Sequence, residues 1–247
     1  EIGLQQQITS DMTIDVTGYY RDIRGWIAQS KRLVADGIGA YTIENNYDYA
    51  SVRGIVFSLK KFFSKSFIAS LDYTYQIADG IDYDKSPNLK NPKIYMVPLG
   101  YDQRHTLNAF LGYQNQGFKG GLLAKYWSGQ PYTPSFLYGE SRGSGTLNDL
   151  PINSANKPGI FLVDLKFSKD FKISKWNYKL FLNIYNTFDS KNAVNVYSDT
   201  GKPDKDSYHL VFLNTESSRI GGLYENLDDP NNYVEPRKIH LGFTVSF

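Results

Sequence analysis

The chain has 247 residues, of which 41% are hydrophobic, 21% charged and 15% aromatic, with a formal net charge of +2 and charges of both signs dispersed along its length. That length allows one large all-β domain or two ordinary ones, and the dispersed charge gives no nucleic-acid face. With no Cys, a disulfide framework and a thiol nucleophile are both excluded.

No run approaches the roughly 18 apolar residues of a membrane-spanning helix. A barrel strand needs only about 9–11 residues, half of them polar, so this does not speak against a membrane. The opening EIGLQQQITS does not read as a signal peptide and already alternates like the middle of a strand. This predicts a fragment or a processed product.

Side chains alternate across a strand, so period-2 hydrophobicity marks the elements. The first run puts Ile2, Leu4 and Ile8 on one face, and MTIDVTGYYRDIRGW (12–26) follows with Ile14, Val16, Gly18 and Tyr20. VRGIVFSLKKFF (52–63), FIASLDYTYQI (67–77) and DQRHTLNAFLGYQ (102–114) come next. KGGLLAKYW (119–127) is less regular, and IFLVDLKFSKDF (160–171) and WNYKLFLNIYN (176–186) restore the pattern. The last run, PRKIHLGFTVSF, sets Ile239, Leu241, Phe243, Val245 and Phe247 against Lys238, His240, Gly242, Thr244 and Ser246. About nine strands are predicted.

Connections alternate in length. The short ones are 9–11, 63–66, 115–118 and 170–175; the long ones lie near 27–48, 78–101, 128–159 and 188–236. Every second connection therefore lies at the same end of an up-and-down sheet, the asymmetry of transmembrane barrels. All ten prolines fall in long connections or at the first residues of strands, as the missing ladder donor requires. The polar phase is rich in Asn, Gln, Thr, Ser, Asp and Lys, which suits a wet lumen. Tyr20, Trp26, Tyr113, Trp127, Trp176 and Tyr178 lie near strand ends, where interfacial aromatic girdles are expected.

Several segments resemble, in order, the C-terminal half of the barrel of TonB-dependent outer-membrane receptors. They are YYRDIRGWI (19–27), the hairpin 52–75, the Asp-Gln-Arg-His strand opening of 102–113 and SGQPYTP (128–134). FLVDLKFSKDF (161–171), LNIYNTFDSKNAVNVYSDTGKP (182–203) and a final strand ending in Phe complete the order. The resemblance implies an all-β, antiparallel up-and-down transmembrane barrel segment, about nine strands of a 22-stranded barrel. The plug and the energy-coupling motif would lie outside 1–247. It implies active import of a scarce nutrient across the outer membrane of a Gram-negative bacterium. The implied partners are the rest of the same receptor, an inner-membrane energy-coupling protein acting through the plug, outer-membrane lipids and the barrel assembly machinery. That machinery would recognise the strand carrying Ile239, Leu241, Phe243, Val245 and Phe247.

Chemistry is sparse. His105, His209 and His240 form no spaced ligand set. His105 suits a rim or lumen hydrogen bond, and His240 falls in the lumen phase. Asp199, Asp204, Asp206, Asp228 and Asp229 lie in turns rich in Asn, Gly and Pro, without EF-hand spacing. GESRGSG (139–145) is Gly/Ser-rich, and no helix follows to make it a phosphate cradle. The loop tyrosines Tyr132, Tyr138, Tyr208, Tyr224 and Tyr233 could stack on a ligand or pack the loops together. No catalytic, cofactor or metal residue is assigned. The alternatives are a structural or adhesive barrel, an outer-membrane enzyme without a plug, and a soluble β-sandwich.

Overall fold

In the computed structural model, residues 1–29, 33–35, 39–41, 44–83, 94–136, 151–207 and 229–247 are described. Fourteen strands follow in chain order: β1 (Ile2–Thr9), β2 (Met12–Gln29), β3 (Leu33–Ala35), β4 (Gly39–Tyr41), β5 (Glu44–Ser64), β6 (Phe67–Tyr83), β7 (Ile94–Pro98), β8 (His105–Asn115), β9 (Phe118–Trp127), β10 (Pro131–Tyr132), β11 (Ala155–Asn156), β12 (Ile160–Ile173), β13 (Trp176–Tyr185) and β14 (Lys238–Ser246). One short 3-10 turn, Pro230–Asn232, precedes β14.

One antiparallel sheet dominates, in the order β1-β2-β5-β6-β8-β9-β12-β13-β14. These are the nine strands that alternation predicts. β7 pairs with the far end of β6, and β3–β4 and β10–β11 form small ribbons inside the long connections. Among the described residues the sheet is open, with β1 and β14 at its edges.

The short connections are all two residues long. Thr9 pairs with Met12, Ser64 with Phe67, Asn115 with Phe118 and Ile173 with Trp176. At three of them the backbone enters the left-handed region that matches strand twist: Lys65 and Ser66 at φ 45° and 73°, Gln116 and Gly117 at 44° and 76°, and Ser174 at 55°. Neighbouring turns are joined. The N–H of Phe62 donates to Asp11 O at 2.7 Å, that of Gln114 to Ser66 O at 2.8 Å, and that of Asp170 to Gly117 O at 2.7 Å.

Register carries one apolar face across the sheet. Leu4, Val16, Phe57, Tyr73, Leu107, Tyr126 and Phe161 form one cross-strand row; Leu111, Leu122, Leu165, Ile184 and Ile239 form another. The opposite face carries Gln5, Asp15, Ser58, Asp72, Asn108 and Lys125. No second sheet covers the apolar face among the described residues. Ile2, Leu4, Leu241 and Phe243 are all more than 65% exposed. Each such side chain left in water forgoes about 1.5–3 kcal/mol of burial, and a contiguous band of them calls for lipid.

Aromatic residues close the band at the short-turn end. Phe67 packs on Tyr113 at 4.9 Å, Phe171 on Tyr178 at 5.4 Å and Trp176 on Phe247 at 5.5 Å between ring centroids. All six belong to the apolar phase.

Boundaries differ from the expectation in four places. β2, β5 and β6 run on beyond the apolar band, and β7 occupies part of 78–101; polar residues on both faces of those extensions hide them from an alternation rule. β12 continues through Ile173, so the fourth turn is Ser174–Lys175 rather than 170–175. β8 begins at His105, not at 102, because Asp102 leaves the ladder. Trp127 pairs with Thr106 and Ile160 in the polar phase, so it is not part of a lipid-facing girdle.

Candidate functional site

Two regions remain for function: the polar face of the sheet and the end where the long connections gather.

The polar face is internally bonded. Tyr19 Oη donates to Gln76 Oε1 at 3.0 Å, the Ser58 hydroxyl donates to the Asp72 carboxylate, and Thr17 Oγ1 donates to Asp15 Oδ1 at 3.0 Å. Ion pairs continue it, with Lys125 to Asp164 at 3.8 Å and Lys119 to Asp170 at 3.1 Å. Aromatic rings lie over glycines here. Phe110 covers Gly112 and Gly121, and Phe181 covers Gly242 so closely that a Cβ there would meet the ring at 2.4 Å. An open concavity of about 450 Å³ at the short-turn end is lined mostly by this face, with Asp170, Lys172, Asn177, Lys179, Thr244 and Ser246, and also by Phe171 and Tyr178.

At the long-connection end, the segment 99–104 folds back on β6. The N–H of Leu99 donates to Ala78 O at 2.9 Å, and Asp102 Oδ1 accepts the Ala78 N–H at 2.9 Å. The carboxylate thus replaces a neighbouring strand's carbonyl. Its other oxygen meets Arg104 Nε at 2.6 Å. Burial pushes the Asp102 carboxyl up, against the opposing pull of the Ala78 N–H and Arg104. Ala78 is buried, as are its β5 partner Val52 and nearby Ala50.

A second cluster docks the connection after β13 onto β12. Asn192 presents Oδ1 to the Phe161 N–H at 3.1 Å and Nδ2 to the Phe161 carbonyl at 2.8 Å, so one amide imitates a strand neighbour. Asn186, at φ 48°, donates its N–H to Asp164 Oδ1 and its Nδ2 to the carbonyls of Ser190 and Glu235. Both asparagines are buried. Sequence reasoning missed them; the signal available was the turn-forming NTFDSKN run.

The connections also hold one another. Ser135 N donates to Ser198 O at 2.9 Å, and the two hydroxyls lie 2.9 Å apart. Asp199 accepts from Thr200 N, Ser207 N and Ser207 Oγ. Burial raises its carboxyl, but these hydrogen bonds outweigh that and hold it below the usual range. A shallow hollow of about 310 Å³ lies between these segments, lined by Phe136, Tyr197, Asp199, Asp206 and Ser207 among others.

Of the five loop tyrosines, Tyr132 and Tyr233 are described. Tyr132 opens the β10–β11 ribbon, with its hydroxyl over Gly201, which takes φ 68°. Tyr233 bridges Ala193, with the Lys191 ammonium 5.5 Å from its ring. Tyr138, Tyr208 and Tyr224 lie outside the described residues, as do His209 and Asp228. Among described residues, no group of three or more His, Asp or Glu converges as a metal site. Asp229 caps the 3-10 turn by accepting Asn231 N at 2.9 Å. His105 lies in the apolar phase, with Nδ1 2.8 Å from Tyr73 Oη, and His240 lies in the polar phase against Tyr185. The final strand keeps Ile239, Leu241, Phe243 and Val245 in the apolar phase, continued by Phe247.

No curated protein matches the chain. Among solved structures, the ferric-catecholate import receptor Fiu of E. coli K12 is similar at a TM-score of 0.51 and 18% identity, over 81% of this chain and 24% of that one. The copper transporter OprC is similar at a TM-score of 0.48 and 14% identity, over 98% of this chain and 29% of that one. The chain therefore spans about a quarter of the length of the structures it matches. The family description "TonB dependent receptor-like, beta-barrel" matches residues 1–186. The apolar band is thus the lipid-facing surface of a transmembrane barrel wall and the polar face its lumen side, and the chain belongs to the TonB-dependent receptor β-barrel family.

Proposed function

We propose that this chain is the C-terminal wall of an outer-membrane active transporter that imports a scarce nutrient in a Gram-negative bacterium. One observation carries the reading: a register-continuous apolar band and polar wall, with two-residue turns at one end and long interlocked connections at the other, in a chain of this family. The wall faces a plug supplied by the rest of the receptor. The connections, with Tyr132 and Tyr233 among them, help capture the nutrient. An inner-membrane partner supplies energy through the plug. The strand Ile239–Phe247 guides assembly into the membrane. No step of covalent chemistry is assigned to the chain.

The test begins with the intact mass of the polypeptide carrying this C-terminus, isolated from outer membranes. A mass far above 28.1 kDa places the wall in a full receptor. Nutrient-limited growth of cells with and without that receptor is then compared, before and after collapse of the proton-motive force. Uptake that needs both receptor and proton-motive force supports active import. Uptake indifferent to proton-motive force would leave a passive barrel instead.

A further inference from the structure

We propose that the lumen wall built by β9, β12, β13 and β14 is a lane for an anionic solute, so that the nutrient carries carboxylate or phosphate charge; this rests on the transport reading above. The lumen phase of these four strands presents Lys119, Lys125, Lys166, Lys172, Lys179 and Lys238 against only Asp164 and Asp170. Among the described side chains, the lumen phase of β1, β2, β5, β6 and β8 is balanced, with Arg21 and Lys60 against Asp15 and Asp72. Positive charge is therefore concentrated on one side of the wall.

The two aspartates are already matched, Asp164 by Lys125 and Asp170 by Lys119, and Lys238 meets Glu235 at 3.4 Å. Lys166, Lys172 and Lys179 close no ion pair among the described residues, although Lys179 stands across the ladder from Asp170, and all three are exposed. Lys166 lies 5.7 Å from the Tyr185 ring, a contact that leaves its charge available.

Their vertical arrangement favours a travelling solute over a fixed partner. Lys172 stands at the short-turn end of β12, and Lys125 pairs with Leu162 near the other. The ten residues between those levels span about 33 Å along the strand, or about 25 Å of height at the usual barrel tilt. That is the height of a barrel's lipid-facing band. Lys172, Lys179, Lys119, Lys166 and Lys125 rise through it in steps of a few residues. The first three steps, of two residues or about 7 Å along the strand, lie below a screening length of about 8–10 Å, so the fields of Lys172, Lys179, Lys119 and Lys166 overlap, and Lys125 stands about 13 Å further on. A chain of weak, like-charged stations lets an anion enter and also leave. Asn177, Asn183, Thr244 and Ser246 supply neutral partners between them.

The experiment uses the full-length receptor in isolated outer membranes, with Ser168→Cys placed in the lumen phase of β12 beside Lys166 and paired with Lys119. The chain has no native Cys, and the receptor without Ser168→Cys serves as the background. Modification rates are measured with an anionic sulfonatoethyl and a cationic trimethylammonioethyl methanethiosulfonate. The expected result is a rate ratio favouring the anionic reagent, falling about tenfold when Lys166, Lys172 and Lys179 are all changed to Gln. The triple change to Arg should preserve the ratio. A ratio that is unchanged by the Gln substitutions, or that favours the cation from the start, overturns the lane. So does a cysteine closed to both reagents, which would seat the plug directly against this stretch of the wall and leave no lane. If the triple Gln variant loses the heat-shifted folded band on a detergent gel, Lys179→Gln alone is read in the same way. Energy-coupled uptake is scored separately, so loss of the ratio alone removes the anion lane and leaves transport standing.

Discussion

Asp11 and Lys61 lie 50 residues apart in sequence, yet the carboxylate of one meets the ammonium of the other across two adjacent turns. Ser64 Oγ donates to the same carboxylate, and Thr9 Oγ1 donates to its other oxygen at 2.7 Å. Bonds from Lys61, then Ser64, then Thr9 hold the Asp11 carboxyl well below the usual carboxylate range. A depressed folded value adds stability that is present above the ordinary value of 3.8 and lost as pH falls through the folded one. Asp11→Asn should therefore lower the unfolding midpoint of the full receptor at pH 7. The gap between the two proteins should narrow as pH drops below 3.8. A gap that holds constant or widens in acid would sink the ion-pair account.

Leu182 and Asn183 are neighbours on β13 with opposite destinations: Leu182 pairs with Leu241 in the lipid-facing phase and Asn183 with His240 in the lumen phase. Leu182→Arg should cost about 2–4 kcal/mol if the site lies at the bilayer midplane, and less toward an interface. Asn183→Arg should assemble normally. Yield of the folded band from outer membranes compares them directly. Equal yields would mean that the two faces are not lipid and lumen.

Asn192→Ala removes both partners of the Phe161 backbone at once. Two part-buried main-chain groups then lose their partner, each at no more than the roughly 1–3 kcal/mol of a fully buried group. Amide exchange at Phe161 should accelerate, and the segment 187–194 should become sensitive to protease, while the β12–β13 ladder stays protected. Unchanged exchange at Phe161 would count against the mimicry.

Gly129 offers a steric test. A Cβ there would fall 1.5 Å from the Lys157 carbonyl oxygen. Gly129→Ala must displace backbone and break the Lys157 N to Gln130 O bond of 2.9 Å. A cost at or above the roughly 1–3 kcal/mol of ordinary overpacking is expected. Gly100→Ala, where nothing lies within 4 Å, is the matched control and should be near neutral. Midpoints from thermal unfolding separate the two.

What the residues revealed in advance follows from what each signal depends on. The wall strands were legible because Leu111, Leu122, Leu165 and Ile184 obey a period of two, whatever their partners are. The extensions 45–51 and 78–83 were not, since NNYDYAS and ADGIDY carry polar or small residues in both phases and lose the alternation. Asp102 and Asn192 were hidden for a different reason. Each completes a ladder belonging to a residue 24 or 31 positions away, and no local pattern encodes such a pairing. For Tyr132 and Tyr233 the sequence suggested stacking on a ligand or packing of loops; the structure places both against neighbouring connections, at Gly201 and at Ala193.

The two-residue turns fix alignment within each hairpin, and the backbone bonds between neighbouring turns carry it from one hairpin to the next along the same rim. From β1 to β13 the alignment is therefore specified at that rim. Length at the opposite rim is then nearly free, because lengthening a flexible connection costs entropy only logarithmically. Insertions and deletions there leave the order of side chains along the wall untouched. One half of the molecule can be rewritten for a new cargo while the other keeps the same frame.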